Sequence, residues 1–337
     1  MFEIVTFFTT DYSLHYGFFE PIMVALLKKG KMPIMLFVSE KDPLMPNCPF
    51  NRISMRTFRM ELFKTLKPIA HIQMQSHDKL HRNIMLGAKM HRIRTFEIQH
   101  GSLVKDENGD FDINTALFDT VSEYVCVWGE DYVPFYVDAG IPKENVLLTG
   151  NPRHDVFPPR KKKPIKKVLL TTAATRSTDG DVNFGCDYVE SFRRFLEVVD
   201  AFPDIKFYIK SHPTPFDDEN LWRNEIVGTG KPFPNLSIID KHVNFISVLS
   251  TGEIDCLFHY VSSTAGDAAV YGIPLIDMRR KFDFREELQN IIDGKPPRSN
   301  QLETLITDRR ASERIVAKIL EHETISGNLI IKDLVGE

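Results

Sequence analysis

Short apolar runs alternate with stretches of helical periodicity along most of the chain. Apolar runs of four to eight residues, separated by amphipathic helices, are typical of βαβ units, and such units build parallel sheets. The first half contains six predicted strands, at residues 3–8, 33–38, 69–73, 95–98, 124–127 and 146–148. Its predicted helices cover residues 17–29, 78–90 and 131–139.

The second half repeats this pattern. Its predicted strands lie at 167–171, 205–210, 236–239, 256–258 and 274–277, and its predicted helices at 188–200, 244–250 and 265–271, with helical periodicity again after residue 300. Gly30 and Gly272 follow two of the helices and are expected to end them, because glycine readily adopts the left-handed conformation of a helix C-terminus. The pattern predicts an α/β protein with two parallel-sheet domains.

A proline-rich, charged stretch separates the two halves. Pro158 and Pro159 precede a basic run at 160–167, a composition typical of an exposed linker. We therefore expect a first domain at 1–155, a linker at 156–164, a second domain at 165–325, and a tail at 326–337 that packs back on the first domain. A solvated linker is the simpler interpretation of the basic run, and a patch that touches an anionic membrane surface or an acidic glycan is the alternative.

Composition narrows the classes of function. The chain has 337 residues, which suits two domains, and its net charge of −4 argues against a general nucleic-acid binder. Four widely spaced cysteines form no CxxC pair, so they indicate reduced thiols in a cytoplasmic protein. The N-terminus lacks a basic region and predicts a strand instead of a signal peptide, and no apolar stretch reaches the roughly 18 residues of a membrane span.

The most informative polar loop follows the predicted strand at 256–258. Ligands of open parallel sheets bind outside the carboxyl ends of the strands. Here Ser262, Ser263 and Thr264 open a helix in which Asp267 lies one turn further on. Free backbone N–H groups, hydroxyls and the helix dipole suit phosphate, whereas ordinary N-capping is the simpler alternative. The Gly-x-Pro turn after this helix favours phosphate, because this order of elements recurs in nucleotide-sugar sites.

Histidines stand at three other strand ends. His212 and Pro213 follow the strand at 205–210, where an imidazole can donate to a phosphate or a ribose. Taken alone, a loop histidine without a ligand explains His212 better. His100 follows the strand at 95–98, and Asp11 and His15 lie beyond the first strand. We favour His100 as the general base over Asp11 and His15, for which helix capping and first-turn solvation are the alternatives.

These motifs resemble those of GT-B glycosyltransferases. The pairs His212-Pro213 and Ser262-Ser263 look like the HP and SS motifs of bacterial sialyltransferases and Kdo transferases, which hold the cytidine monophosphate part of the donor. The run from Gln99 to Ser102 is similar to the HG motif of CDP-glycerol glycerophosphotransferases. The stretch 148–155 resembles an inter-domain segment shared by GT-B enzymes and non-hydrolysing UDP-GlcNAc 2-epimerases. The resemblance covers roughly residues 1–280 and implies two Rossmann-like domains with a cleft between them.

The chain also departs from these families. The epimerases carry a basic HRREN-type loop and paired glutamates after an SGG-type turn, and this chain has neither at 172–176 or 266–268. These departures argue against epimerisation. Many retaining GT-B enzymes bind the ribose with a glutamate near the position of Asp267, so Asp267 is expected to do so with a shorter side chain. The acidic D/E-D/E-G motif of the sialyltransferases is not evident in the first half.

The resemblance implies a metal-independent glycosyltransferase of surface polysaccharide biosynthesis. It would move a sugar from a nucleotide donor, CMP-sugar being favoured over UDP-sugar, to a glycan or lipid-linked acceptor bound by the first domain. Besides the serines, Thr264 and His212, we expect Thr172 and Arg176 to close the other side of the leaving phosphate. CDP-alditol transfer, a non-catalytic glycan-binding role and UDP-sugar 2-epimerisation are the alternatives.

We expect the nucleotide-sugar donor to be a substrate and no further cofactor, metal or nucleic acid to bind. His77 and His81 lie four residues apart on a predicted helix, but no glutamate stands between them, so an exposed helix face is favoured over a zinc site. The expected location is the cytoplasm, with peripheral membrane contact through 160–167.

Overall fold

The structure is a computed structural model. It describes residues 3–10, 12–37, 48–54, 61–74, 79–99, 119–157, 163–172, 185–212, 219–260, 264–298 and 305–321. These residues form two compact units. The first unit contains the described residues up to Val156 together with 305–321, and the second contains those from Phe157 to 298.

The first unit is built on a parallel sheet. Its strands are β1 (Ile4–Thr9), β2 (Met32–Phe37), β3 (Asn51–Ser54), β4 (Ala70–Gln73), β5 (Arg94–Ile98), β6 (Tyr124–Val127) and β7 (Val146–Leu148). Their order is β3-β2-β1-β4-β5-β6-β7, and every neighbouring pair is parallel. The order reverses between β1 and β4, and ligands of such sheets bind at this reversal, called the switch point.

Helices flank this sheet, namely α1 (Tyr12–Lys28), α2 (Glu61–Leu66), α3 (Lys79–Met90) and α4 (Val133–Asp138). Strands covered on both faces are apolar throughout, and β1 is accordingly buried from Val5 to Thr9. Gly30 has a φ of +72° just beyond α1, as predicted from its position.

Two histidines lie inside the first unit. His71 of β4 has its Nδ1 3.0 Å from Thr6 Oγ1 and packs edge-on against Phe63. Burial lowers the pKa of His71 to about 3, so the ring is neutral near pH 7. His81 of α3 packs edge-on against Phe8, with ring centroids 4.9 Å apart. The predicted exposed face is therefore wrong for His81, because the apolar side of α3 faces the sheet; His77 lies outside the described residues.

The C-terminal helix, residues 311–321, belongs to the first unit. The Asp155 carboxylate accepts hydrogen bonds from the N–H groups of Ala311 and Ser312, at 3.0 and 2.7 Å. Near its other end, Arg94 donates to the carbonyls of Lys318 and Ile319. These contacts explain why 305–321 groups with the first unit, whereas the sequence predicts a second domain that continues to 325. The predicted tail at 326–337 lies outside the described residues.

The second unit is built on a smaller parallel sheet. Its strands are β8 (Lys167–Thr171), β9 (Lys206–Lys210), β10 (Leu236–Ile239), β11 (Cys256–His259) and β12 (Leu275–Asp277). Their order is β10-β9-β8-β11-β12, with all pairs parallel, so β8 and β11 flank the switch point. The helices are α5 (Gly185–Ala201), α6 (Glu219–Gly228), α7 (Phe245–Ser250), α8 (Thr264–Val270) and α9 (Phe284–Ile292).

The two faces of the second sheet pack differently. An aromatic core covers one face, where Phe195 of α5 contacts Phe207 and Phe258 edge-on. On the other face, leucines at 169, 257 and 275 pack against alanines of α8. Small side chains let α8 lie close to the strands, so the beginning of α8 is held at the carboxyl end of the sheet.

The described part of the basic run is anchored to the second unit. Lys163 forms an ion pair with Asp255 at 2.9 Å, and Lys167 forms one with Glu253 at 2.7 Å. The Asp255 carboxylate also accepts the backbone N–H groups of Lys166 and Lys167. These lysines are thus used within the protein, and residues 158–162 lie outside the described chain.

Most predicted elements coincide with observed ones, and those at 124–127, 146–148, 167–171 and 236–239 do so without any shift. Some elements are not among the predicted strands and helices, for example β3, α2 and α9. β3 is a polar edge strand, α2 is short, and α9 begins in a charged stretch where Asp283 caps its first N–H groups. Within the described ranges, none of the helices has both the length and the apolarity needed to cross a membrane.

Candidate functional site

The carboxyl edge of the second sheet carries a row of polar side chains. Lys210, Thr171, His259 and Asp277 end four adjacent strands and pair with one another in register. Each is at most 4% exposed. In each of these strands the residue two positions earlier is largely apolar, and these residues pair with one another in register as well. Side chains two residues apart lie on the same face of a sheet, so the polar row shares a face with these apolar residues. The polar row therefore faces the α8 side of the sheet at the edge where ligands bind.

Two hydroxyl contacts join the elements around β8. The Thr171 and Thr264 hydroxyl oxygens lie 2.9 Å apart, which links the end of β8 to the beginning of α8. Thr172 Oγ1 accepts the backbone N–H of His212 at 2.8 Å, and the Thr172 N–H donates to the Lys210 carbonyl at 3.1 Å. Of the predicted site residues, Thr172 and His212 are thus in direct contact, and Thr264 contacts Thr171, the chain neighbour of Thr172.

Positive charge lies beside these hydroxyls. The Lys210 ammonium donates to the carbonyls of Ser211 and Lys241, at 3.3 and 3.2 Å. Burial lowers the pKa of His212, and the charge of Lys210 lowers it further. His212 is therefore neutral near pH 7, and it can offer an N–H to an anion without adding a charge.

A second charged group ends the row. Burial favours the neutral form of Asp277, but hydrogen bonds from Arg279 and the nearby charges outweigh it and lower the pKa of the carboxyl group. Arg279 contacts both oxygens, at 3.0 and 2.7 Å. Beside this pair, burial lowers the pKa of His259 to about 4, although Asp277 acts in the opposite direction. The row thus has a cation at the β9 end and a paired carboxylate at the β12 end.

The remaining nucleotide-site predictions are divided between described and undescribed positions. Asp267 lies in the first turn of α8 and is buried. Arg176, Pro213, Ser262 and Ser263 lie outside the described residues.

Of the three predicted bases, His15 has a described position. His15 lies in the first turn of α1, buried, with its Nδ1 2.6 Å from Thr9 Oγ1 and its ring against Phe19. Asp11 and His100 lie outside the described residues. Gln99, the first residue of the HG-type motif, is buried, and its side-chain oxygen accepts the backbone N–H of Trp128 at 3.0 Å, which gives it a structural contact in the first unit.

Sequence reasoning missed Lys210, Thr171, His259 and Asp277 as site residues. Each is the last residue of an observed strand. The predicted strands end at the same residue for Lys210, Thr171 and Asp277, whereas the predicted strand at 256–258 stops one residue before His259. Among the residues with described positions, the histidines, cysteines and carboxylates form no group of three or more that could hold a metal ion. Chemically, the edge offers hydroxyls, an ammonium and a neutral imidazole, a combination suited to a phosphate ester.

Comparison with protein-family models and with curated proteins gives no match. Solved structures match along nearly the whole chain. A Listeria monocytogenes protein, provisionally named a UDP-N-acetylglucosamine 2-epimerase, has a TM-score of 0.69 at 13% identity, with coverage of 96% of this chain and 97% of that one. Staphylococcus aureus MnaA in complex with UDP has a TM-score of 0.64 at 14% identity, with coverage of 96% of this chain and 97% of that one. The Neisseria meningitidis UDP-GlcNAc 2-epimerase bound to UDP-GlcNAc has a TM-score of 0.60 at 15% identity, with coverage of 95% of this chain and 100% of that one.

The fold is of the GT-B type. At 13–15% identity the similarity concerns the fold, and it confirms the two predicted Rossmann-like domains, each with a parallel sheet flanked by helices. In both sheets the first strand lies centrally and the order reverses beside it, which is the arrangement that binds ligands at the switch point.

Proposed function

We propose that this protein is an enzyme that acts on a nucleotide-activated sugar, and that the reaction is 2-epimerisation of a UDP-N-acetylhexosamine. The observation that carries the nucleotide assignment is the cluster of Thr172, His212 and Thr264 beside the buried Lys210, at the switch point of the second sheet. The names of the solved structures with matching folds support a uridine diphosphate sugar and its epimerisation. They favour this alternative over the CMP-sugar transfer that the sequence motifs imply.

The second unit would hold the nucleotide. The Thr172 and Thr264 hydroxyls would donate to phosphate oxygens, and the neutral His212 imidazole would add an N–H donor without repelling a nearby cation. Asp267 would accept hydrogen bonds from the ribose. A phosphate that leaves a sugar carbon gains negative charge in the transition state, so donors fixed in this position lower the barrier.

The first unit would supply the acid–base chemistry. Inversion at carbon 2 would balance as an elimination followed by an addition. The C2–H electron pair would form a C1=C2 double bond while the C1–O bond to the diphosphate breaks, and the diphosphate would then return to carbon 1 as a proton returns to the opposite face of carbon 2. One group must therefore remove a proton and one must return it. His15 is the one predicted base within the described chain, and Thr9 holds its imidazole in one orientation. Asp11 and His100 remain the other candidates for these roles.

Glycosyl transfer is the second candidate. The observation in its favour is the beginning of α8, where Asp267 stands in a run of small residues and the paired glutamates of the epimerases are missing. A CMP-sugar or UDP-sugar would then react with a glycan or lipid-linked acceptor. CDP-alditol transfer and non-catalytic glycan binding are distinguished from it by the product, a phosphodiester in the first case and none in the second.

Nucleotide binding is tested by thermal unfolding with UDP, CDP and CMP. We expect UDP to stabilise the protein most, by about 2.7 kcal/mol at a concentration of roughly 100 times its Kd. His212→Ala should weaken the effect, whereas His242→Ala, which changes an exposed histidine of the same unit, should leave it intact. If no nucleotide raises the melting temperature, the assignment to nucleotide sugars is wrong.

The reaction is tested with UDP-GlcNAc as the sole substrate in deuterated water. An epimerase forms the 2-epimer and incorporates deuterium at carbon 2, both visible by proton NMR, without any acceptor. A transferase leaves carbon 2 protonated and releases nucleotide when an acceptor glycan is added. Nucleotide binding with unchanged carbon 2 would replace epimerisation by the second candidate.

A further inference from the structure

An open cavity of about 290 Å³ lies between α5 and the beginning of α9 in the second unit. It is lined by Arg194 and Glu197 of α5 and by residues 281–285. Its volume is close to the roughly 300 Å³ at which small-molecule pockets begin, so it can hold a small organic ligand. α5 and α9 pack into the aromatic core, whereas α8 packs on the other face of the sheet. The cavity is therefore separate from the polar row.

Arg194 brings a positive charge to this cavity. Its Nη1 donates to the Arg280 carbonyl at 3.1 Å, its Nη2 donates to the Phe282 carbonyl, and its guanidinium lies 3.9 Å from the centre of the Phe284 ring. These partners are neutral, and no carboxylate of the described residues forms an ion pair with Arg194. The two carbonyls use two of the five N–H groups of a guanidinium, so donors are left for an anionic ligand.

The wall of the cavity is fixed by contacts with the core. Ser191, one turn before Arg194 on α5, donates to the Met278 carbonyl at 2.9 Å, so α5 holds the segment after β12 at two points. Phe284 is 2% exposed and packs edge-on against Phe258 of β11, which fixes the ring beside the guanidinium. An arginine held in this way loses little further freedom when a ligand binds, and its planar donors match phosphate oxygens.

The other charged side chains of the cavity narrow the class of ligand. Lys281 is exposed and adds a second positive charge, whereas Asp283 caps α9 and pairs with Arg285 at 3.3 Å. Glu197 forms no ion pair within the described residues, and its carboxylate can accept hydrogen bonds from hydroxyl groups. A ligand that suits this lining has an anionic group for Arg194 and Lys281 and hydroxyl groups for Glu197.

We propose that this cavity is a second ligand site, which binds a phosphorylated sugar. The phosphate would lie between the guanidinium of Arg194 and the ammonium of Lys281, and sugar hydroxyls would donate to Glu197. Phe282, which lines the cavity and is partly exposed, would contact the C–H groups of the sugar ring. Charge-assisted hydrogen bonds to phosphate are the strong ones, so the phosphate would supply most of the affinity. The site would bind this ligand whether or not the other face of the sheet binds a nucleotide.

The class of ligand is tested by titrating the wild-type protein with glucose 1-phosphate, inorganic phosphate and glucose, followed by ligand-observed NMR. We expect glucose 1-phosphate to bind most tightly, phosphate more weakly and glucose not at all, and the binding to weaken with ionic strength. Saturating UDP should leave the Kd for glucose 1-phosphate unchanged. Displacement by UDP would overturn the separate site, and equal affinities for phosphate and glucose 1-phosphate would overturn the sugar.

Arg194→Gln tests the guanidinium, and Arg193→Gln is its matched control. Arg193 is the chain neighbour of Arg194, but it pairs with Glu225 at 2.6 Å. We expect Arg194→Gln to weaken glucose 1-phosphate binding about tenfold, Arg194→Lys to recover part of the loss, and Arg193→Gln to stay within about twofold of the wild-type protein. Equal affinity in Arg194→Gln and the wild-type protein overturns the site. UDP binding should be the same in all three variants, which separates a failure of this site from a failure of the nucleotide site.

Two further variants keep the proposal testable if Arg194→Gln fails to fold. Lys281 is exposed, and no hydrogen bond or ion pair joins it to another described residue, so Lys281→Gln should fold normally. It should weaken glucose 1-phosphate and phosphate about fivefold, whereas Lys206→Gln, on the exposed beginning of β9, should change neither. Glu197→Ala should reduce the preference for glucose 1-phosphate over phosphate. Unchanged affinities in Lys281→Gln overturn the phosphate position, and an unchanged preference in Glu197→Ala overturns the contact with sugar hydroxyls.

Discussion

The central strands of the two sheets, β1 and β8, both end in a buried threonine, but one hydroxyl makes a contact close in sequence and the other a contact distant in sequence. Thr9 Oγ1 lies 2.6 Å from His15 Nδ1, six residues further along the chain. Thr171 Oγ1 lies 2.9 Å from Thr264 Oγ1, 93 residues away. The first contact links a strand to the helix that follows it. The second links both sides of a switch point, so it prearranges the edge at which a ligand would bind.

Buried polar groups are distributed differently in the two sheets as well. In the first, Thr6, His71 and Thr95 share a register line that crosses the middle of the strands, and a line nearer the carboxyl edge mixes Phe8 with the buried Gln73 and Glu97. In the second, the polar row from Lys210 to Asp277 forms the last register line. Burying polar side chains in the middle of a sheet costs free energy, which packing must offset. Polar side chains at the carboxyl edge can instead contribute to ligand binding. The feature that supports nucleotide binding in the second unit is a polar row that continues across four adjacent strand ends.

The largest expected effect is a loss of folding stability at low pH, because each unit buries a neutral histidine. Burial lowers the pKa to about 3 for His71 and to about 4 for His259. Above pH 6.5 each of these imidazoles is neutral in both the folded and the unfolded protein. Below pH 6.5 the imidazole takes up a proton only in the unfolded protein. Stability is therefore lost as the pH falls from about 6.5 toward these values. We expect each histidine to cost about 2 kcal/mol between pH 7.5 and pH 5.

The two tryptophans allow this loss to be measured in each unit. Trp128 lies in the first unit and Trp222 in the second, so single-tryptophan variants report urea unfolding of one unit at a time. His71→Asn should flatten the pH dependence of the unfolding free energy that Trp128 reports. His259→Asn should do the same for the unfolding free energy that Trp222 reports. The exposed His242 provides the control, since His242→Asn should change neither. Equal slopes in the wild-type protein and both variants would contradict the burial argument.

Much of the fold follows from apolar pattern alone. Strands such as β1 and β8 are buried on both faces and therefore read as continuous apolar runs, which the sequence displays directly. β3 was missed because an edge strand with Asn51 and Arg52 has no such run. The C-terminal helix was assigned to the second domain because its attachment depends on Asp155, a contact 156 residues distant in sequence.

The site was predictable only in part. Thr172, His212 and Thr264 follow strands in the sequence, so rules for strand ends pick them out. The contact between Thr172 and His212 joins residues 40 apart and depends on the neighbouring positions of β8 and β9. Lys210 was overlooked because a lysine in a sequence is normally exposed, and its burial becomes evident only when the strands are placed side by side.

An intermediate effect on stability is expected from the caps that distinguish the units. Asp155→Ala removes the acceptor for the first N–H groups of the C-terminal helix and should destabilise the first unit by about 1–2 kcal/mol. The Trp128 signal should report this loss, and the Trp222 signal should not change. Asp283→Ala, which uncaps α9, should give the mirror result with a smaller loss, since Asp283 is more exposed. A loss in both signals would show that the two units unfold together.

The smallest expected effect tests the two threonines themselves. Thr171→Val and Thr9→Val preserve side-chain shape and each remove one buried hydroxyl contact, so each should cost about 1 kcal/mol of stability. Their effects on UDP affinity should differ. Thr171→Val loosens the link between β8 and α8 and should weaken UDP binding about fivefold, whereas Thr9→Val should leave the Kd for UDP unchanged. Calorimetric titration of both variants measures this difference. Equal Kd values would mean that the link across the switch point of the second sheet stabilises the fold without arranging the nucleotide site, and the contrast between the two sheets would then concern packing alone.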